Sequence, residues 1–294
     1  MKKRNSKREY IVIAIFAVVS LAFLIPFAMV VAISFSKESD VIREGYKLIP
    51  THFTLDAYRY MFKNPTQLLT GYKITVLVTV FGTIVGVIMM TMCAYCLVRK
   101  NFKYRRYVMF YLFFTMLFHG GLVPSYILIT QYLNLADTIT VLFLQGLVNV
   151  FHIVLLRTYF QSVPNVLFEA AKIDGANEFT IYSKILLPMS KPAIATVALM
   201  GALVRWNDWN TPMLYINTDE LTPLSYVLYK TMADLQFMAS NMKNLPETFL
   251  NTADLPAETS RMAMCVLGAG PMLFVFPFFQ KYFVSGLTVG AVKE

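Results

Sequence analysis

Few residues of this sequence could do chemistry, and most of them stand inside apolar runs. Gln145, Asn149 and His152 recur at i, i+4 and i+7, which places them on one face of a continuous helix. Amides donate and accept hydrogen bonds at once, which suits a polyhydroxylated ligand such as a sugar. The same groups serve equally to bond neighbouring helices. A second cluster, Arg205-Trp206-Asn207-Asp208-Trp209-Asn210, is the most polar stretch within an apolar segment. Arg205 and Asp208 are three apart and can neutralise each other. Trp206 and Trp209 share a helix face, where indole rings can stack on the apolar face of a pyranose; otherwise they are interface tryptophans beside a structural ion pair. Polar residues inside membrane helices are functional candidates by default, so both clusters are read as lining a path.

Other reactive types do not assemble. His52, His119 and His152 are widely separated, with no Cys/Asp cluster to join them, so no metal site is expected. His119 shares a face with Thr115 and Tyr126 and reads as a packing hydrogen-bonder. Cys93-Ala-Tyr-Cys96 has redox-motif spacing but sits in an apolar run without a thioredoxin-like context, and reads as packing. Neither Gly-Lys-Ser nor Gly-Lys-Thr occurs, so there is no phosphate-binding loop for ATP. No nucleophile–base pair supports a membrane enzyme.

The elements that must hold these clusters follow from composition. Hydrophobic residues make up 57% of the 294 and charged residues 15%, against about 45–50% and about 25% in soluble domains. Mean hydropathy is +0.56. Such a chain belongs in a bilayer; a disordered chain, a collagen and a disulfide scaffold are excluded. A span needs roughly 20 apolar residues. Residues 10–35, 72–98, 107–130, 140–160, 192–216 and 262–283 meet the need, which predicts an all-α protein of six transmembrane helices in one domain covering 1–294. The first follows Lys2, Lys3, Arg4, Lys7 and Arg8, but its uncharged core is too long for a signal peptide and reads as an uncleaved anchor.

The net charge of +9 sets orientation rather than binding to nucleic acid. The basic N-terminus and the link holding Arg99, Lys100, Lys103, Arg105 and Arg106 are expected in the cytoplasm, with the C-terminus and 161–191. Segments 36–71 and 217–261 then face outward and are the expected landing surface for an external partner; Lys37, Arg43, Lys47, Arg59 and Lys63 in the first run against the rule. Gly82 and Gly86, with Thr75 and Thr79, form a slim face for another helix, in this chain or in a second subunit.

Segment 161–191 reads as a helix–turn–helix. Pro164 suits a first helical turn, Gly175 a left-handed helix end, and Asn177 the cap of a second helix, which Pro188 ends. Here the resemblance to a family lies. Glu169-Ala170-Ala171, Asp174-Gly175-Ala176 and Leu187-Pro188 resemble the EAA loop of bacterial ABC import permeases, in the variant of the carbohydrate-uptake (maltose-type) branch. Leu122-Val-Pro-Ser-Tyr-Ile, Leu133-Asn-Leu-Ala-Asp-Thr, Trp206-Asn-Asp-Trp209 and the tail from Pro277 are similar to the same branch. The tail is closer still, and resembles permeases for aldouronate and other complex oligosaccharides in Gram-positive bacteria. The final Glu294 departs from the usual glycine.

The resemblance implies a multi-pass subunit of the bacterial cytoplasmic membrane that imports an oligosaccharide by alternating access. It implies that Glu169, Ala170, Ala171, Asp174 and Gly175 couple the chain to a cytoplasmic ATPase. ATP and magnesium would sit on two such ATPases, with no cofactor on this chain. A second permease would complete the pore, and an extracellular binding lipoprotein would deliver cargo. The alternative is a stand-alone secondary transporter, for which Asp208 is the sole acidic residue clearly inside a span and for which no repeated halves are visible.

Overall fold

The computed structural model describes residues 7–63, 65–242 and 256–291. Lys2, Lys3, Arg4, part of the second long connection and Glu294 lie outside the described residues. All regular structure among the described residues is helical, save one antiparallel bridge between Ser36 and Phe53. Two compact units emerge: Met1–Leu68 with Leu228–Pro271, and Leu69–Val227 with Met272–Glu294.

Among the described residues three helices are long and apolar enough to cross a bilayer, and candidate spans number up to five if each of two bent helix pairs is one span. The first of the long helices, α1 (Lys7–Ser34), has 28 residues, about 42 Å at 1.5 Å per residue. It buries none of its apolar window within the chain, so lipid or another subunit must cover it. Two short helices follow, α2 (Glu38–Glu44) and α3 (Asp56–Met61). Phe35 stacks on Phe53 at 5.2 Å and packs against Tyr58, closing the loop between them. The Glu38 carboxylate accepts hydrogen bonds from the Glu258 and Thr259 amides and the Thr259 hydroxyl. It thereby caps the last helix, which has free N–H groups and positive dipole at that end.

The second unit is threaded by α4 (Pro65–Val98). One side of its cytoplasm-predicted half packs Met90, Ala94 and Leu97 against Ile153, Leu156, Phe160, Ile181, Leu186 and Val197. Its other half packs Ile74 and Val78 against Ile129, Val141, Leu142, Tyr215 and Ile216. The helices packed on it are interrupted where continuous spans are expected. The third predicted span divides into α5 (Arg105–Leu117) and α6 (Leu122–Ile127) with its π-helical continuation Leu128–Tyr132, at an angle of 111°. Gly121, with φ +89°, makes the corner. His119 therefore sits in the break and shares no helix face with Thr115 and Tyr126.

The fourth predicted span divides into α7 (Ile139–Leu144) and α8 (Val150–Gln161), around Gly146 at φ +65°. Next come α9 (Asn165–Ile173), α10 (Glu178–Thr180), a π-helical stretch Ile181–Leu186 and α11 (Leu187–Met189). The chain then bends by 82° into α12 (Lys191–Trp206). The fifth predicted span stops at Trp206 and resumes as α13 (Asn210–Tyr215).

The second long connection contains α14 (Leu224–Met242), a helix the sequence reading does not contain. The last helix, α15 (Ala257–Ala291), starts five residues before its expected span. In the first unit, Leu235 of α14 and Met264 of α15 meet Met61 in a small core.

Candidate functional site

The helix–turn–helix is built by local rules. Asn165 opens α9 directly after Pro164. At its end the Gly175 amide donates to the Lys172 carbonyl at 3.0 Å and the Ala176 amide to the Ala171 carbonyl at 2.9 Å. With Gly175 at φ +78° this is a Schellman closure. Asn177 then accepts from the Thr180 amide at 2.7 Å and caps α10. The second helix runs one residue past Pro188 before the bend at Ser190.

This element has an inner and an outer side. Phe168 and Ala171 are buried in the core. Glu169, Ala170, Asp174 and Gly175 are exposed. So are the apolar Val166, Ile173 and Phe179, with Ile173 87% exposed. Apolar side chains on the outer face of a short helix, beside the small Ala170, make a surface suited to a protein partner. The sequence reading does not contain Val166, Ile173 and Phe179; for the first two the signal is apolar residues recurring on the face of α9 opposite Phe168 and Ala171, while Phe179 lies beyond the turn, in α10.

Glu178 fastens the element to the end of α4. Its carboxylate accepts from Arg99 at 2.9 Å, from Lys172 at 2.8 Å and from the Tyr95 hydroxyl. Partial burial pushes this carboxyl up, but the bonds from Lys172, Tyr95 and Arg99 outweigh it and hold it at about 2. The Arg99 guanidinium also lies over the Tyr95 and Phe168 rings, at 5.6 and 5.4 Å. Tyr182, in the second helix, bonds Thr91 of α4 at 2.8 Å.

The intramembrane clusters differ from their expected geometry. Gln145, Asn149 and His152 do not share a helix face, because Gly146 ends the helix between them. Asn149 is the cap of α8, accepting from the His152 amide at 3.4 Å. The His152 side chain is 7% exposed. Arg205 and Asp208 make no ion pair by contact. The Asp208 carboxylate accepts the Asn210 and Thr211 amides at 3.1 and 3.0 Å and caps α13. Arg205 donates to the Gly201 and Gly146 carbonyls at 3.2 and 2.9 Å. Trp206 and Trp209 do not share a face: Trp206 closes α12 and is buried, while Trp209 lies in the break and is half-exposed. Asn207 and Asn210 are exposed at the same break.

The slim face of α4 is filled from within the chain. A Cβ on Gly82 would stand 2.5 Å from Arg205 Nε, and one on Gly86 2.6 Å from the Leu147 carbonyl. Thr75 accepts the Leu224 amide at 2.8 Å. Cys93, Cys96 and Cys265 are free thiols. No group of three His, Cys, Asp or Glu among the described residues could hold a metal.

Long apolar helices, others broken at polar positions around a buried guanidinium, and a helix–turn–helix offering apolar side chains outward together make a polytopic membrane permease. No family model matches the chain. It is 36% identical over 290 residues to the polygalacturonan/rhamnogalacturonan transport system permease protein YtcP of Bacillus subtilis (strain 168), covering 99% of each chain. It is 26% identical to the arabinooligosaccharides transport system permease protein AraQ of Halalkalibacterium halodurans, covering 95% of this chain and 94% of that one. A chain in the crystal structure of a bacterial ABC transporter involved in the import of the acidic polysaccharide alginate matches with a TM-score of 0.78 and 31% identity, over 96% of this chain and 99% of that one. The chain belongs to the permease family of carbohydrate ABC transport systems. It is an integral membrane transport subunit and not an enzyme.

Proposed function

We propose that this permease imports an oligosaccharide bearing uronic acid units across the cytoplasmic membrane, as one half of a pore completed by a second, homologous permease. The cargo class is supported by the names of its relatives, which handle polygalacturonan/rhamnogalacturonan and the acidic polysaccharide alginate. Two ATPases bind on the cytoplasmic side and a solute-binding lipoprotein delivers cargo outside. The chain crosses the membrane six times with both termini in the cytoplasm: through α1, α4, α5 with α6, α7 with α8, α12 with α13, and α15.

The observation that carries the reading is the helix–turn–helix with its exposed Val166, Ile173 and Phe179 and its Glu178 link to α4. ATP closes the two ATPases. A helix seated on one of them and fastened to α4 passes that motion to the membrane helices. The energy source is differential binding of the partner to two permease conformations. The exposed groups at the helix breaks, Asn149, Asn207, Trp209 and Asn210, line the path with the half-buried Gln145; Asp208 and His152 support it from behind.

The test is gentle affinity purification of the tagged chain from its native membrane, with Gly175→Pro as control. Recovery of an ATPase, a second permease and a lipoprotein with the wild type, and loss of the ATPase with the control, is expected. Wild-type chain that transports sugar yet brings no ATPase would make it a stand-alone secondary transporter. Uptake of galacturonate oligomers, competed by alginate oligomers and not by neutral maltotriose, tests the cargo class.

A further inference from the structure

One helix break of the second unit is tied by a side chain to the last turn of α12, just before the next break. Non-helical backbone at membrane depth persists only where protein covers it or where it lines a water-filled cavity. At 145–149, Gly146, Val148 and Asn149 are exposed on the chain, and at 207–209 Asn207 and Trp209 are. Between the breaks lies Arg205, only 8% exposed. Its Nη2 takes the Gly146 carbonyl, and its Nη1 takes the Gly201 carbonyl one turn back in α12. The space for it comes from α4, where Gly82 and Gly86 present no side chain.

Arg205 Nε is buried without a partner, as are the hydroxyls of Thr79 and Thr83 on α4. A cation at this depth is expensive, and an orphaned donor adds to the cost. An apolar residue of similar length would fill the same space without that cost. What it could not do is bridge two carbonyls on different elements with one planar fork, which a lysine ammonium could not do either.

We propose that Arg205 is a positioning residue for transport: it fastens the break at Gly146 to the end of α12, so that the exposed groups of both breaks form one polar strip along the cargo path. This rests on the permease reading above. Arg205 touches no cargo itself. The strip holds its shape as α12 moves because the guanidinium moves with it.

The experiment uses the complex purified with its ATPase, reconstituted in liposomes, with Cys93, Cys96 and Cys265 replaced by serine. Val148→Cys reports on the strip, and Phe110→Cys, on α5 and 71% exposed, is the control. The probe is a membrane-impermeant methanethiosulfonate, with and without ATP and vanadate. Arg205→Met removes the fork. Gly82→Ala keeps the charge but displaces it, since the new Cβ would stand 2.5 Å from Nε and 2.9 Å from Cδ.

In the parent, labelling at position 148 should change at least threefold on trapping. Both variants should abolish that change and alter the resting rate at least fivefold, with position 110 within twofold of the parent. Parent-like labelling at 148 in both variants overturns the proposal. So does a parallel rise at 110 in both, which marks general loosening. Failure of any ATPase to accompany the parent chain strikes instead at the permease reading, and is seen before labelling begins.

Discussion

Glu178 and Arg99 meet at 2.9 Å across 79 positions of sequence, joining the start of α10 to the end of α4. Lys172 of α9 meets the same carboxylate, so one acidic group gathers three elements. Loosening it should uncouple rather than unfold. Glu178→Gln keeps the shape and loses the charge. The Glu178 side chain is 54% exposed, so solvent screening leaves the link worth about 1 kcal/mol. The variant complex should keep its ATPase but move less cargo per ATP hydrolysed, by about threefold or more, when uptake and phosphate release are measured together.

The same carboxylate sets a pH dependence. Its folded value, about 2, lies below its ordinary 4.5. A depressed acid contributes stability above its unfolded value and loses it as pH falls through the folded one. The contribution should be whole above about pH 4.5 and gone near pH 2. Melting curves of wild type and Glu178→Gln should differ at neutral pH and converge as pH falls across that window. Curves that stay parallel would mean that Glu178 carries no such linkage.

Gly175 separates conformation from space. A Cβ there meets nothing within 4 Å, yet φ is +78°. The penalty for another residue is therefore conformational, about 1 kcal/mol for alanine and less for asparagine, which tolerates the left-handed region. Gly175→Asn should lie between wild type and Gly175→Ala in thermal stability. An order in which alanine is tolerated best would refute the conformational account.

The features readable from sequence are those fixed within a few residues. Gly175 and Asn177 act on their immediate neighbours, so the turn and cap follow from residue type alone. The long apolar α1 and α4 are equally plain. The breaks are not local. Gly146 can leave the helix because Arg205, 59 positions away, takes its carbonyl. Spacing makes Asp208 the expected partner of Arg205, but the helix ends at Trp206 and frees it to cap α13. Hydropathy sees 140–160 and 192–216 as continuous, since apolar content does not report whether a backbone carbonyl is satisfied within its helix or by another. α14 is hidden for a different reason: Lys230 and Asp234 dilute its hydropathy, so its segment reads as a connection.

Ile173 tests docking apart from stability. At 87% exposure it packs on nothing that folding needs, and exposed substitutions usually change stability by no more than about 0.5 kcal/mol. A charge on an apolar contact must be desolvated when a partner seats. Ile173→Asp should leave the melting temperature of the chain nearly unchanged while the copurifying ATPase falls at least tenfold. Undiminished ATPase recovery would move the docking surface away from this face.

Gly86 tests how closely α4 and the break at Gly146 must approach. A Cβ on Gly86 would meet the Leu147 carbonyl oxygen at 2.6 Å, which is backbone and cannot swing aside. On Gly82 the first obstacle is the Arg205 side chain, which can. Overpacking costs typically 1–3 kcal/mol, and the larger cost should fall where the obstacle is fixed. Gly86→Ala should therefore lower the melting temperature of the complex more than Gly82→Ala. Pairing each with Arg205→Ala separates the causes: the truncated side chain should relieve much of the Gly82→Ala cost, because it removes the clashing Nε and Cδ, and little of the Gly86→Ala cost, because Leu147 remains. Equal relief at both positions would mean that Arg205, and not the carbonyl at the break, sets the spacing along the whole face.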